Sequence, residues 1–147
     1  MEAQMVKTES ALEMKRVFQA SVDRVYQAWT KPEMMDRWYF PGGPMHAHCT
    51  VDLRIGGSYE VQMHPEEGDP YIAKGMYKEI IPNEKLSFTW SWLGDEHESL
   101  VTLTFHSLNQ SETELTLLHE QFIKEEERDS HGEGWVGTLD QLTAFLA

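Results

Sequence analysis

The sequence predicts an α+β domain: a curved antiparallel sheet of about six or seven strands around one long C-terminal helix, with two short helices after the first strand. Between residues 46 and 119 apolar side chains recur with period two and are interrupted by tight-turn signals. Beyond Lys124 the period becomes helical, with Trp135, Leu139, Leu142 and Leu146 at i, i+4, i+7 and i+11 and Phe145 beside them. Ser21 and Pro32 each open a short helical stretch before the strands begin.

Leu12, Met14, Arg16 and Phe18 alternate with Glu13, Lys15, Val17 and Gln19, which marks a strand over residues 12–20. Residues 1–10 carry no such pattern and are expected to be a flexible N-terminal segment. Ser21 then caps a helix whose first turn holds Asp23, and Val22, Val25, Tyr26 and Trp29 share its apolar face. Pro32 bends the chain into a second short helix reaching Trp38. Val51, Leu53 and Ile55 are expected to run as a strand into the Gly56-Gly57 turn. Tyr59, Val61 and Met63 alternate with Glu60, Gln62 and His64 as a half-buried strand, ended by the breaker-rich segment 65–70.

Residues 71–81 form another strand, whose facing stays open between Ile72, Met76 and Ile80 and the set Ala73, Gly75, Tyr77 and Ile81. Leu86, Phe88, Trp90 and Trp92 share one face of the next strand. Residues 94–98 make a charged hairpin tip. Val101, Leu103 and Phe105, then Leu115, Leu117 and His119, complete the sheet. Gly132, Gly134 and Gly137 each cost a helix about 1 kcal/mol relative to alanine, so the first turns of the last helix are expected to press closely on the sheet.

Composition narrows the class. The 147 residues fit one domain over 1–147, and 40% hydrophobic content with five tryptophans supplies a core that a disordered chain lacks. Twelve basic against 25 acidic side chains give a formal charge of −13, which opposes both nucleic-acid and anionic-membrane partners. No apolar stretch is long enough to span a bilayer or to serve as a signal peptide. Cys49 alone forms no internal disulfide, which fits a reducing cytoplasm, the expected location.

The order of elements resembles the helix-grip fold of the START-like (SRPBCC) superfamily. Phe18-Gln19-Ala20-Ser21, Val25-Tyr26-Gln27-Ala28-Trp29-Thr30, Pro32-Glu33 and Trp38 resemble the opening of the family named for the activator of heat-shock-protein ATPase. Residues 51–59, Gly75 with Ile80, Ile81, Pro82 and Leu86, residues 115–119, and Gly134-Trp135 with Leu139 and Leu142 extend the likeness over about residues 11–146. The chain is expected to be a single module, without the additional N-terminal domain of the eukaryotic co-chaperones, and so is similar to single-domain, bacterial-type members. The resemblance implies an apolar ligand held between sheet and helix.

The residues point the same way. Trp38, Phe40, Tyr59, Met63, Tyr77, Phe88, Trp90, Trp92, Phe105, Trp135 and Leu139 are candidate walls of a cavity for a small apolar or aromatic molecule, because one helix is narrow against a sheet several strands wide. Met34, Met35 and Met76 would suit a tolerant wall. His119, on the inward face by alternation, could orient a polar head or act as acid or base, with Glu79 as its partner. The alternatives are a chaperone-linked protein-interaction module using the acidic surface, and a cyclase- or hydrolase-type enzyme in the same cavity. His46 and His48 share a strand face, but two imidazoles fall short of a zinc site, even with His64 or His97 as further possibilities. No metal or cofactor is expected, and the chain is expected to be a monomer or homodimer.

Overall fold

The computed structural model describes residues 4–147. Strands β1 (Gln4–Lys7) and β2 (Leu12–Phe18) precede helices α1 (Val22–Thr30) and α2 (Pro32–Met35). Strands β3 (His46–Val51), β4 (Ser58–His64), β5 (Tyr71–Ile81), β6 (Lys85–Trp92), β7 (Ser99–Asn109) and β8 (Glu112–Glu120) follow, and α3 (Glu125–Leu146) closes the chain. All strand pairs are antiparallel, in the order β1-β2-β8-β7-β6-β5-β4-β3, as a curved, unclosed sheet.

The sheet has eight strands, not the expected six or seven, and the extra one lies in the segment expected to be flexible. Gln4–Lys7 pairs with residues 12–15 of β2. Its anchors are non-local: Met5 sits against α3 beside Gly132, and Lys7 Nζ lies 2.9 Å from Asp129 Oδ1. Four residues with adjacent Met5 and Val6 show no alternation, so nothing local marked them. Residues 1–3 of that segment lie outside the described residues.

Leu53 and Ile55 do not continue the strand as expected. Strand β3 ends at Val51, and both side chains are exposed. Arg54 N–H donates to Asp52 O at 2.9 Å and Gly57 N–H to Arg54 O at 2.8 Å, so a tight turn replaces the alternation.

Helix α3 is fastened by its C-terminal half. The buried Arg16 of β2 donates to Asp140 Oδ1 at 2.7 Å and to Thr143 Oγ1 at 3.3 Å, which explains a cation on an inward strand face. Arg24 of α1 donates to Leu146 O at 2.7 Å, capping the end of the helix where its dipole favours positive charge. Gly137 lies on the loop after α2, not on the sheet as expected of these glycines: a Cβ there would collide with the Pro41 carbonyl. Among the described residues no helix is long and apolar enough to cross a membrane.

The concavity is mostly filled from the side. Trp29 of α1 meets Trp38 edge-on at 4.6 Å between ring centroids, and Trp38 stacks on Tyr39 at 4.7 Å. This plug lies 6.2 Å from Trp135 at Trp29 and 6.5 Å from Trp90 at Tyr39. Helix α1 and the turn that follows α2 therefore occupy much of the space that the narrowness of α3 leaves open.

Candidate functional site

A pocket of about 120 Å³ remains at the N-terminal half of α3. The helix supplies Ser130, His131, Gly134, Trp135 and Thr138, the loop after α2 supplies Tyr39 and Pro41, and the ends of β4 and β6 supply Met63, Trp90 and Trp92. Its existence follows from residue size. Positions 131, 134, 135 and 138 share one helix face by their i, i+3, i+4, i+7 spacing. Gly134 on that face has open space where a Cβ would stand.

Two histidines hold the indoles. Within α3, His131 Nδ1 lies 2.8 Å from Glu127 O, so that nitrogen carries the hydrogen and Nε2 carries the lone pair. The indole N–H groups of Trp90 and Trp92 both donate to His131 Nε2, each at 3.2 Å. Trp135 Nε1 donates to His119 Nδ1 at 3.0 Å. His119 therefore carries its hydrogen on Nε2 and donates to Ser99 Oγ at 2.7 Å, while Ser99 donates to Trp90 O at 3.2 Å. Every indole N–H of the pocket is engaged, whereas the buried Tyr39 hydroxyl has no hydrogen-bond partner.

Burial, and next the neighbouring His131 ring, hold His119 well below the usual imidazole range. Its ring is wholly buried with both nitrogens occupied, so it presents no atom to a ligand and acts as a support for Trp135. Glu79 is not its partner. A bulge between Tyr77 and Glu79 shifts the register, and the exposed Glu79 pairs with Lys85 at 3.1 Å.

Of the expected walls, Met63, Trp90, Trp92 and Trp135 line this pocket. Tyr59, Tyr77 and Phe88 surround a separate void of about 10 Å³ with Trp29, Met35 and Tyr39. Tyr59 reaches across Gly75 to donate to Thr89 O at 2.6 Å, an approach that only the missing Cβ of Gly75 permits. Trp38, Phe40, Phe105 and Leu139 are buried in the core; Trp38 Nε1 donates to Ala28 O at 3.1 Å and Phe105 packs on Tyr26 at 5.5 Å. Sequence reasoning missed Tyr39, Pro41, Ser130, His131, Gly134 and Thr138. The signal available was the helical stripe of small and polar residues one step round from the apolar one.

His46 and His64 are register partners whose rings stack at 5.0 Å on the β3–β4 face, while His97 is bonded elsewhere, to Gln121 O at 2.7 Å. Among the described residues no cluster of three or more His, Cys, Asp or Glu side chains could hold a metal ion. Burial and the Asp36 carboxylate push the Cys49 thiol up, away from reactivity.

The model of the family described as Activator of Hsp90 ATPase homolog 1-like protein matches residues 19–147. Protein CV1439 from Chromobacterium violaceum is 26% identical, with a TM-score of 0.80 over 93% of this chain and 97% of that one. A protein from Rhodobacter sphaeroides is 23% identical with a TM-score of 0.84 over 99% and 98% of the two chains, which establishes the same helix-grip fold. DynU16, described as a putative protein in the dynemicin biosynthetic locus, is 23% identical with a TM-score of 0.77 over 95% of this chain and 48% of its own. No curated protein matches the chain.

Proposed function

The chain belongs to the Activator of Hsp90 ATPase homolog 1-like family, and on that premise we propose that it is a small-molecule-binding module. The bound group enters the pocket between the N-terminal half of α3, residues 39–41 and the ends of β4 and β6. The observation that carries the reading is an apolar hollow of about 120 Å³ walled by Tyr39, Met63, Trp90, Trp92 and Trp135. Ligand sites commonly run to about 300–1,000 Å³, so this one takes a single ring or head group, with the remainder of the ligand at the protein surface. An engineered apolar cavity of about 150 Å³ admits benzene, which sets the scale. The fold neighbour in a biosynthetic locus is compatible with small-molecule chemistry as the setting.

Catalysis has less support than binding. His119 lies behind Trp135 with both nitrogens in use, and Glu79 stands on an exposed strand position paired with Lys85. The test is native mass spectrometry of the purified chain beside Gly134→Leu, whose side chain enters the pocket. A co-purifying small molecule present on the natural chain and absent from the variant supports the reading. The same molecule retained by the variant contradicts it.

A further inference from the structure

Resting on the pocket just described, and narrowing its ligand, we propose that the group held there is a methylated ammonium head, an organic cation of about trimethylammonium size, in preference to a neutral apolar group. Three tryptophans and a tyrosine contribute to its lining. All three indole N–H groups are tied to His131 and His119, so the indoles have ring faces, not donors, to offer a guest. Those faces carry the negative end of the aromatic quadrupole. Trp92 stands at 78° to Trp90, Trp90 at 48° and Tyr39 at 57° to Trp135, while Tyr39 and Trp90 lie nearly parallel at 15°. Four aromatic side chains thus contribute to one hollow of about 120 Å³.

Charge favours the same guest. None of the ten lining residues is lysine or arginine, so no fixed positive charge opposes a cation, while the chain as a whole carries −13. None is aspartate or glutamate either. A metal ion or a bare ammonium group sheds a tightly held hydration shell on entry and finds no carboxylate in return. A methylated ammonium is weakly hydrated, presents methyl groups to Met63 and Pro41, and gains the cation–π attraction that tryptophan supplies best.

The experiment is calorimetric titration of the full chain at fixed ionic strength with choline chloride, with 3,3-dimethylbutan-1-ol, its neutral carbon isostere, and with ammonium chloride. The expected result is saturable choline binding at one site, at least about tenfold tighter than the isostere, with no competition from ammonium. In Trp92→Leu, which keeps an apolar wall but removes a ring face, choline is expected to weaken by about fivefold or more while the isostere is little changed. Isostere binding as tight as choline overturns the cation assignment and leaves the apolar pocket standing. Competition by ammonium, or equal loss of both ligands in Trp92→Leu, overturns it as well. If neither choline nor the isostere binds while benzyl alcohol does, the assignment is overturned. If benzyl alcohol fails too, the pocket reading falls with it.

Discussion

The indole N–H of Trp135 donates to Nδ1 of His119 at 3.0 Å, joining the terminal helix to the last strand inside the core. The same histidine passes its other hydrogen to Ser99, which bonds the Trp90 carbonyl. One wall of the pocket is therefore set by an imidazole that the pocket itself never exposes.

This arrangement makes stability depend on pH. His119 titrates well below its usual range when folded, and near about 6.5 when unfolded. Between those values the unfolded chain holds the extra proton, so stability rises with pH. The contribution is complete above about 6.5 and is lost as pH falls toward the folded value. Urea midpoints taken between about pH 8 and pH 5 should decline below about 6.5, with a slope reaching at most about 1.4 kcal/mol per pH unit. His119→Gln should flatten that decline; an unchanged slope in the variant would show that another group causes it.

Trp135→Phe keeps an aromatic ring but removes the donor, leaving a buried imidazole nitrogen unbonded. Chemical denaturation should register a loss of about 1–3 kcal/mol. A loss below about 0.5 kcal/mol would mean that the bond contributes little net energy.

Gly134 and Gly137, three residues apart on one helix, should respond in opposite directions. A Cβ at Gly134 meets open space, so Gly134→Ala should stabilise by up to about 1 kcal/mol through helix propensity. At Gly137 the added carbon must displace the Pro41 backbone, and Gly137→Ala should destabilise by about 1–3 kcal/mol. Thermal midpoints of the two variants against the parent check both signs.

The sheet and the long helix were legible because their patterns are local. Alternation through Tyr59–Val61–Met63 and Val101–Leu103–Phe105 survives as buried, inward-facing residues, and Trp135, Leu139, Leu142 and Leu146 are all buried. Strand β1 escaped because its anchors, Gly132 and Asp129, lie more than a hundred residues away. The pocket was half legible: large aromatics announced an apolar interior, but which of them would fill it and which would line what is left depends on packing. Trp38 and Tyr39 are adjacent in sequence; Trp38 is core, whereas Tyr39 borders both voids. The inward facing of His119 follows from strand alternation, whereas His131, whose Nε2 gathers two indoles, carries no period-two signal because it sits on a helix.

The most direct measurement is the ¹H–¹⁵N spectrum of the indole N–H groups during titration with benzyl alcohol, in the natural chain and in Gly134→Leu. Saturable shifts of the Trp90, Trp92 and Trp135 resonances are expected in the natural chain, with Trp29 and Trp38 little moved, and loss of those shifts in the variant. Shifts that persist in Gly134→Leu, or that fall on Trp29 and Trp38 instead, would contradict a ligand site beside His131.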